Sequence, residues 1–276
     1  MKIASLFSSC GGLDLGFTRA GFELVYANDN DPSVWKTFQK NHNIPIDQRS
    51  LFDVTSDGIP FSDGLIGCPP CQSWSLAGEM RGKNDKRGKL FYKFIGILKD
   101  RQPKFFLAEN VPGIYSRTHI NTFNRLLIKL SCAGYNLTYQ TINSADYGIP
   151  QERYRLIIVG YHESVGMKFV FPPPTHSRYG EKKTNGVQTK KWVDLQTAIG
   201  DLPDPVPAME KNYANHYLSI PNHEYMTGKF SYIYMSRNRR RLWTEPSLTI
   251  QASGRACASS SYLLENEACR KGHMGI

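Results

Sequence analysis

The sequence predicts an α/β fold with a doubly wound, mostly parallel sheet, followed by a smaller and irregular domain. Over residues 1–160, short β-rich runs alternate with amphipathic helical stretches, a pattern typical of a parallel sheet with helices on its faces. Three consecutive prolines at 172–174 end that alternation, because proline continues neither a helix nor a central strand. We therefore expect a first domain at 1–170, a second at 171–256 and an atypical tail at 257–276.

Local signals place each element of the first domain. Runs rich in aliphatic, β-branched and aromatic residues predict strands at KIASLF, ELVYAN, DGLIG, KFFLAEN, YNLTYQTI and RLIIVGY. Helices are predicted between them, at 13–20, from 32 onward, near 88–100 and near 118–133. Gly21 ends the first helix, and Asp31 and Pro32 have the residue types of the N-cap and first position of the second. A sheet of this kind binds its ligands at the carboxyl ends of its strands.

The composition limits the classes of function. The 276 residues include 34 Lys and Arg against 24 Asp and Glu, a net charge of +10 that favours polyanionic partners, nucleic acid first. An apolar fraction of 40% supports an ordinary core and excludes global disorder. No apolar run approaches the ~18–20 residues that span a bilayer, and MKIASLF is too short for a signal peptide. We therefore expect a cytoplasmic protein without membrane contact, whose six cysteines are reduced thiols.

The loop FSSCGGLDLGF follows the first strand and opens a helix, so its backbone N–H groups can approach a ligand. It matches neither the GxGxxG fingerprint nor a P-loop, and a tight strand-to-helix turn without a ligand is the alternative. Asp29 ends the second strand, where an acidic residue can accept hydrogen bonds from a ribose. Together the two features predict a nucleoside cofactor without 5′-phosphates.

Cys68 and Cys71 form a CxxC pair in GCPPCQSWS, directly after the third strand. Such a pair is compatible with a redox dithiol, half of a zinc site, or a loop that carries a single nucleophilic cysteine. A zinc site needs two more ligands, and Cys257 and Cys269 do not have CxxC spacing. The context, deep in a large chain beside two prolines, favours the single nucleophile and no metal.

Four motifs, which follow one another along the chain in the family's order, resemble those of the DNA cytosine-5 methyltransferases. GCPPCQSW at 67–74 is similar to the family's Pro-Cys-Gln loop, and AENV at 108–111 to its Glu-Asn-Val motif. QERYR at 151–155 resembles the Gln-x-Arg-x-Arg motif, and FSSCGGLDLGF resembles the S-adenosylmethionine loop. The resemblance implies a Rossmann-like methyltransferase fold over 1–170, a target-recognition domain over 171–256, and a bacterial enzyme of the restriction-modification type.

The resemblance also implies the catalytic residues. Cys71 would add to C6 of cytosine, and Glu109 would donate or share a proton at N3, with a solvated strand-end carboxylate as the alternative for Glu109. Arg155 would hold the cytosine O2, while Arg153 would brace the cysteine loop and a nearby phosphate. Two further residues, Gln72 and Ser73, would face the DNA backbone.

For the cofactor, S-adenosylmethionine, the resemblance implies a larger set of residues. Those in contact with it would be Phe7 on adenine, Gly11, Gly12 and Leu13 around the methionine part, Asp29 on the ribose, Asn30 beside adenine, and Pro70 and Leu90 closing the pocket. Ser9 replaces the first glycine of the family's loop, which is tolerable if its φ is negative. Ser50 and Leu51 stand where the family has Asp-Ile, so a carboxylate is absent unless Asp53 reaches in, and we expect weaker cofactor binding.

An arginine cluster in the second domain predicts contacts with double-stranded DNA, to guanines or to phosphates. Its members are Arg237, Arg239, Arg240 and Arg241, with Asn238 and Arg255. A solvated basic loop that only positions the backbone is the alternative. MSRNRRRLW and LTIQASGR resemble the recognition segment of the subgroup that reads GGCC. We expect a monomer and a cognate restriction endonuclease that shares the DNA site without binding the enzyme.

Two other functions stay open on the sequence. A tRNA methyltransferase carries the same motifs, although the clustered arginines favour DNA. The other is a DNA-binding remnant, because the family's Arg-Leu-Thr-like motif and its helix opened by Gly-Asn-x-Val-Pro have no counterpart after Gly254. This pattern suggests a truncated chain, which we expect to bind S-adenosylmethionine weakly and to methylate DNA poorly by itself.

Overall fold

The computed structural model describes residues 1–70, 86–180, 183–184, 187–203, 206–207, 217–219, 224–225 and 241–249. Its contacts divide the chain into two compact units. The first comprises Met1–Ile142 and Tyr154–Phe171, and the second comprises Asn143–Arg153 together with the chain from Pro172. The second unit thus takes in the loop 143–153, which the predicted boundaries had left in the first domain. The predicted tail at 257–276 lies outside the described residues.

A six-stranded sheet organises the first unit, in the order β2-β1-β3-β4-β7-β5. Its strands are β1 Lys2–Leu6, β2 Glu23–Asn28, β3 Gly64–Gly67, β4 Phe105–Asn110, β5 Tyr135–Asn143 and β7 Tyr154–His162. The short strand β6, Gln151–Glu152, lies outside this sheet. Strands β1 to β4 pair in parallel, and β7 pairs antiparallel with β4. The predicted α/β class with a mostly parallel sheet is confirmed.

The helices of the described residues are α1 Gly12–Arg19, α2 Pro32–Asn41, α3 Lys86–Arg101, α4 Ile120–Cys132 and α5 Leu195–Ile199. The Asp31 carboxylate accepts a hydrogen bond from Ser33 N at 2.9 Å, which caps α2 as predicted. Gly21, with φ 90°, follows α1 in a left-handed conformation that glycine adopts without strain. No helix among the described residues is long and apolar enough to cross a membrane.

Helices cover both faces of the sheet, and each face has its own core. Because successive residues of a strand point to opposite faces, Ile3 and Ala4 of β1 belong to different clusters. Ile3 packs in the cluster that contains Phe38 of α2. Ala4 packs in the cluster that contains Phe94 of α3 and Leu126 of α4. This arrangement leaves the carboxyl ends of β1 to β4 together along one edge of the sheet.

Within the second unit, side chains close the loop 143–153. Asn143 Oδ1 accepts hydrogen bonds from Ala145 N at 3.3 Å and from Arg153 N at 3.0 Å. Trp192 Nε1 donates to the Asp146 carboxylate at 2.9 Å, so a distant part of the same unit also holds this loop. The short strands of this unit, besides β6, are His176–Ser177, Lys183–Thr184, Val187–Gln188, Lys190–Lys191, Val206–Pro207, Glu224–Tyr225 and Ser247–Leu248.

Candidate active site

The predicted site residues of the first unit lie at the ends of neighbouring strands. Phe7 follows β1, Asp29 follows β2, and Pro70 lies three residues after β3. Glu109 is the penultimate residue of β4. Because β7 runs antiparallel to β4, its first residues reach the same edge, and Arg155 is its second residue. The topology therefore gathers these residues along one edge, where ligands of such sheets bind.

Glu109 and Arg155 form an ion pair, with Arg155 Nε 2.7 Å from Glu109 Oε1. Both side chains are mostly buried, with 22% of Glu109 and 19% of Arg155 exposed. Arg155 Nη1 also donates to the carbonyl oxygen of Tyr154 at 2.7 Å, which fixes the plane of the guanidinium. A carboxylate oriented by a guanidinium at such an edge presents both an acceptor and donors to a planar polar ligand.

Asn110 attaches the end of β4 to the loop that leads to the predicted nucleophile. Its side chain is buried, and Nδ2 donates to the carbonyl oxygen of Pro69 at 3.2 Å. Its Oδ1 accepts from Val111 N at 2.9 Å, so both halves of the amide are used. Cys71 itself lies outside the described residues, as do Gln72 and Ser73.

The loop between β1 and α1 has three residues in left-handed conformation. They are Phe7 with φ 56°, Ser9 with φ 52° and Gly11 with φ 81°. The condition set for Ser9, a negative φ, is therefore not met, and Ser9 stands in a conformation that favours glycine. Asp29 supports it, because Asp29 Oδ2 accepts a hydrogen bond from Ser9 N at 2.9 Å.

His42, the residue after α2, was missed by the sequence analysis. It is buried, its ring stacks on Phe38 at 4.5 Å, and its Nε2 lies 3.0 Å from the carbonyl oxygen of Gly11. Asp14 in the first turn of α1 was also missed, and its complete burial raises the pKa of its carboxyl group. The available signal for Asp14 was a carboxylate between two leucines of the predicted helix, whereas His42 follows α2 and had no such signal.

The residues of the β1–α1 loop, together with Asp29, fit the nucleoside cofactor that the sequence predicts. Gly11, the N-cap of α1, makes no side-chain capping bond, which suits the first-turn N–H groups to a carboxylate such as that of a methionine part. A Cβ added at Gly12 would meet nothing within 4 Å, so there is room beside the loop. Phe7 is half-buried against the core, and the half-buried Asp29 is an acceptor at the end of β2.

The remaining predicted cofactor residues differ in exposure. Leu13, Ser50, Pro70 and Leu90 are half-buried, and Asn30 is exposed. Leu51 is only 3% exposed and packs in the larger core, so it supports the site rather than lining it. Asp53 is exposed. An ion pair between Arg49 Nη2 and Asp47 Oδ2, 2.6 Å long, lowers the pKa of the Asp47 carboxyl to about 2 and fixes the chain just before Ser50.

Arg241 is the one member of the predicted arginine cluster within the described residues. Its Nη2 lies 2.9 Å from Glu152 Oε1, and its Nη1 lies 3.6 Å from Glu245 Oε2. Only 15% of the Arg241 side chain is exposed. These protein contacts favour an internal role for Arg241, whereas its assignment to DNA stays a prediction. The other members, Arg237, Asn238, Arg239, Arg240 and Arg255, lie outside the described residues.

Comparisons with known proteins show the family and the fold. The family model described as C-5 cytosine-specific DNA methylase matches residues 1–274. Type II methyltransferase M.MthTI of Methanothermobacter thermautotrophicus is 54% identical over 256 residues, which cover 92% of this chain and 73% of that protein. Type II methyltransferase M.FnuDI of Fusobacterium nucleatum is 46% identical over 260 residues, covering 93% and 72%. A solved structure, of a protein described as a DNA modification methyltransferase encoded within an E. coli prophage, is similar in fold. Its TM-score is 0.63 at 21% sequence identity, and the match covers 91% of this chain and 82% of that one.

Proposed function

Because this chain belongs to the C-5 cytosine-specific DNA methylase family, as its motifs predicted, we propose that it methylates C5 of a flipped-out cytosine in a specific duplex sequence. Its relatives are Type II methyltransferases, which associates the chain with restriction-modification systems. The observation that carries the proposal is the Glu109–Arg155 ion pair at the sheet edge. Beside it, Asn110 holds Pro69, two residues before Cys71.

The reaction needs a nucleophile because cytosine C5 is itself a poor one. We assign the addition at C6 to the Cys71 thiolate, since a thiolate adds readily and later leaves. The electron pair displaced from the C5–C6 double bond moves toward N3, where Glu109 would share a proton. After C5 has gained its methyl group, the N3 proton returns to Glu109 and water takes the C5 proton. The C5–H electron pair then restores the C5–C6 double bond and expels the Cys71 thiolate. Cys71 and Glu109 are thereby restored, and the DNA carries 5-methylcytosine.

Arg155 would orient both the base and the carboxylate. Its Nε and Nη1 contact Glu109 and Tyr154 within the described part of the chain, and we assign Nη2 to the cytosine O2. A guanidinium has five N–H donors in a fixed fork, so one side chain can hold two acceptors in a set geometry. Arg155 would thereby keep Glu109 in position to face N3 of the base.

We propose S-adenosylmethionine as the methyl donor, which when bound supplies an electrophilic methyl group on its sulfonium sulfur. The residues that would hold it are those named from the sequence: Phe7, Gly11, Gly12, Leu13, Asp29, Asn30, Ser50, Pro70 and Leu90, with Leu51 behind them. Asp29 accepts from Ser9 N at Oδ2 and from Asp31 N at Oδ1, and its remaining lone pairs would accept from the ribose hydroxyls. The first-turn N–H groups of α1 would bind the carboxylate of the methionine part.

DNA would be bound by both sequence-independent and sequence-reading contacts. Gln72, Ser73 and Arg153 would contact the backbone beside the flipped base, whose extrusion costs a few kcal/mol. The recognition residues would be Arg237, Arg239, Arg240 and Arg255, with GGCC as the expected site. A monomer is the expected form, and a cognate endonuclease would share the DNA site without binding the enzyme. We propose that the enzyme acts on DNA in the cytosol.

Transfer of labelled methyl groups to duplex DNA, followed by bisulfite mapping, tests this function. We expect label on cytosine C5 at one short sequence. Glu109→Gln should lower kcat by about 10²–10⁴-fold, the usual contribution of a general acid or base. Absence of DNA methylation, or label on RNA alone, would overturn the proposal.

Covalent trapping tests the nucleophile separately. Duplex DNA with 5-fluorocytosine at the target position blocks loss of the C5 substituent, so the adduct should accumulate. Cys71→Ala should abolish trapping. Cys68→Ala is the matched control in the same loop and should still be trapped. Trapping that survives Cys71→Ala would refute the assignment.

A further inference from the structure

In the second unit, the segment 241–249 lies against β6 through main-chain and side-chain contacts. Its strand Ser247–Leu248 pairs in parallel with β6. Thr249 Oγ1 donates to the carbonyl oxygen of Glu152 at 2.8 Å. The Arg241 guanidinium meets the carboxylate of the same Glu152 at 2.9 Å. Glu152 is therefore held at its backbone and at its side chain by one short segment.

The ion pair between Arg241 and Glu152 is more than a surface contact. Only 15% of the Arg241 side chain and 21% of the Glu152 side chain are exposed. Glu245 supplies a second carboxylate to Arg241 at 3.6 Å, and its Oε2 also accepts a hydrogen bond from Leu242 N at 3.3 Å. Removing one partner of such a pair leaves a poorly solvated charge, so the pair strongly favours one arrangement.

Glu152 directly precedes Arg153, and the loop transmits its position. Arg153 N donates to Asn143 Oδ1 at 3.0 Å, and Ser144 N donates to the carbonyl oxygen of Arg153 at 3.0 Å. Both backbone groups of Arg153 are thus bonded within the loop 143–153, and the peptide bond to Glu152 connects this bonded loop to the residue that Arg241 holds. The segment 241–249, which falls in the predicted target-recognition region, is thus fastened to the residue before a predicted active-site arginine.

We propose that Arg241 is a positioning residue whose ion pair with Glu152 fixes the segment 241–249 against the Gln-x-Arg-x-Arg loop and so sets the place of Arg153. The inference rests on the proposed function for its catalytic consequence. It separates Arg241 from its arginine neighbours, which are expected to contact DNA. The sequence alone groups them together because it shows only adjacency and charge.

A double-mutant cycle with Arg241→Met and Glu152→Gln tests the pairing in the full chain, measured as unfolding midpoints and as methyl transfer. Each single variant should lower kcat by about tenfold to about a hundredfold, since misplacement of an active-site group by ~1 Å costs up to about 10²-fold. The double variant should lose less than the product of the two single losses. Arg241→Lys, which keeps the charge, should recover part of kcat, and Lys190→Met, on an exposed residue of the same unit, should match wild type.

The salt dependence of DNA binding distinguishes the two roles of Arg241. A positioning residue leaves the slope of log K against log salt unchanged, whereas loss of a phosphate contact reduces it by about 0.9. A reduced slope in Arg241→Met, or full additivity of the two substitutions, would overturn the inference. If wild type transfers no methyl group to DNA, the proposed function fails, and the unfolding cycle still decides whether the pair couples.

Discussion

Gly11→Ala should destabilise the first unit more than any other single methyl addition in the β1–α1 loop. Gly11 is buried and has φ 81°, a conformation that costs an L-residue ~1–2 kcal/mol. An added Cβ would also lie well inside 3.0 Å of the His42 imidazole and at 3.0 Å from Phe38 Cδ2. The ring would have to move, and the bond between His42 Nε2 and the Gly11 carbonyl oxygen would be lost.

The two effects can be summed. Leaving a buried acceptor without its partner costs ~1–3 kcal/mol, so the expected loss is ~2–5 kcal/mol when the backbone strain is added. Domains of this kind are stable by ~5–15 kcal/mol, and urea unfolding followed by circular dichroism measures such a loss directly. Gly16→Ala is the matched control: it lies inside α1, an added Cβ there meets nothing within 4 Å, and stability should rise by ~0.5–1 kcal/mol.

A second substitution separates strain from the clash. His42→Ala removes the ring, so Gly11→Ala in that background should cost only the backbone strain. The two substitutions should therefore be less than additive. Gly11→Ala with unchanged or increased stability would refute the reasoning, and so would full additivity with His42→Ala.

Two further predictions follow from the site. Asn110→Ala should cost ~1–3 kcal/mol by leaving the Pro69 carbonyl unpaired and should lower kcat. Asn110→Asp should lose at least as much stability, because it sets a buried carboxylate oxygen against the Pro69 carbonyl oxygen. Equal stability of Asn110→Ala and wild type would contradict this. Because Arg49 lowers the pKa of Asp47 to about 2, the folded state binds fewer protons there than the unfolded state, whose Asp has a pKa of ~3.9. The stabilisation from Asp47 is present above pH ~4 and is lost as pH falls toward the folded pKa. Arg49→Ala should therefore reduce the difference in unfolding free energy between neutral and acidic pH. An unchanged difference would contradict this prediction.

Local signals were sufficient for most of the fold. Asp31 caps α2 because its carboxylate reaches a donor two residues away, and this pairing is visible in the sequence. The strands of the sheet were predicted from runs of adjacent residues, and the family from motifs that each span a few positions. Glu109 and Arg155 are 46 positions apart, yet the sequence named both as candidates because each belongs to a local motif.

Contacts between distant segments could not be predicted in the same way. His42 meets Gly11 across 31 positions, and Arg241 meets Glu152 across 89. Neither pair has a spacing rule, because the path of the chain between them decides whether they touch. The positive φ of Ser9 is likewise imposed by its surroundings, since nothing in the residue type demands it.

The β1–α1 loop shows how such distant contacts serve the site. Left-handed residues other than glycine cost ~1–3 kcal/mol each, so Phe7 and Ser9 keep this conformation only if the surroundings enforce it. Three polar contacts hold the loop. Ser8 N donates to the carbonyl oxygen of Asn28 at 3.1 Å, and Ser9 N donates to the Asp29 carboxylate. His42 Nε2 lies 3.0 Å from the carbonyl oxygen of Gly11. The loop is thereby ordered by folding. Binding of the proposed cofactor, S-adenosylmethionine, then need not order the loop backbone. Weakening any of these three contacts should reduce its affinity even where the altered residue does not touch it.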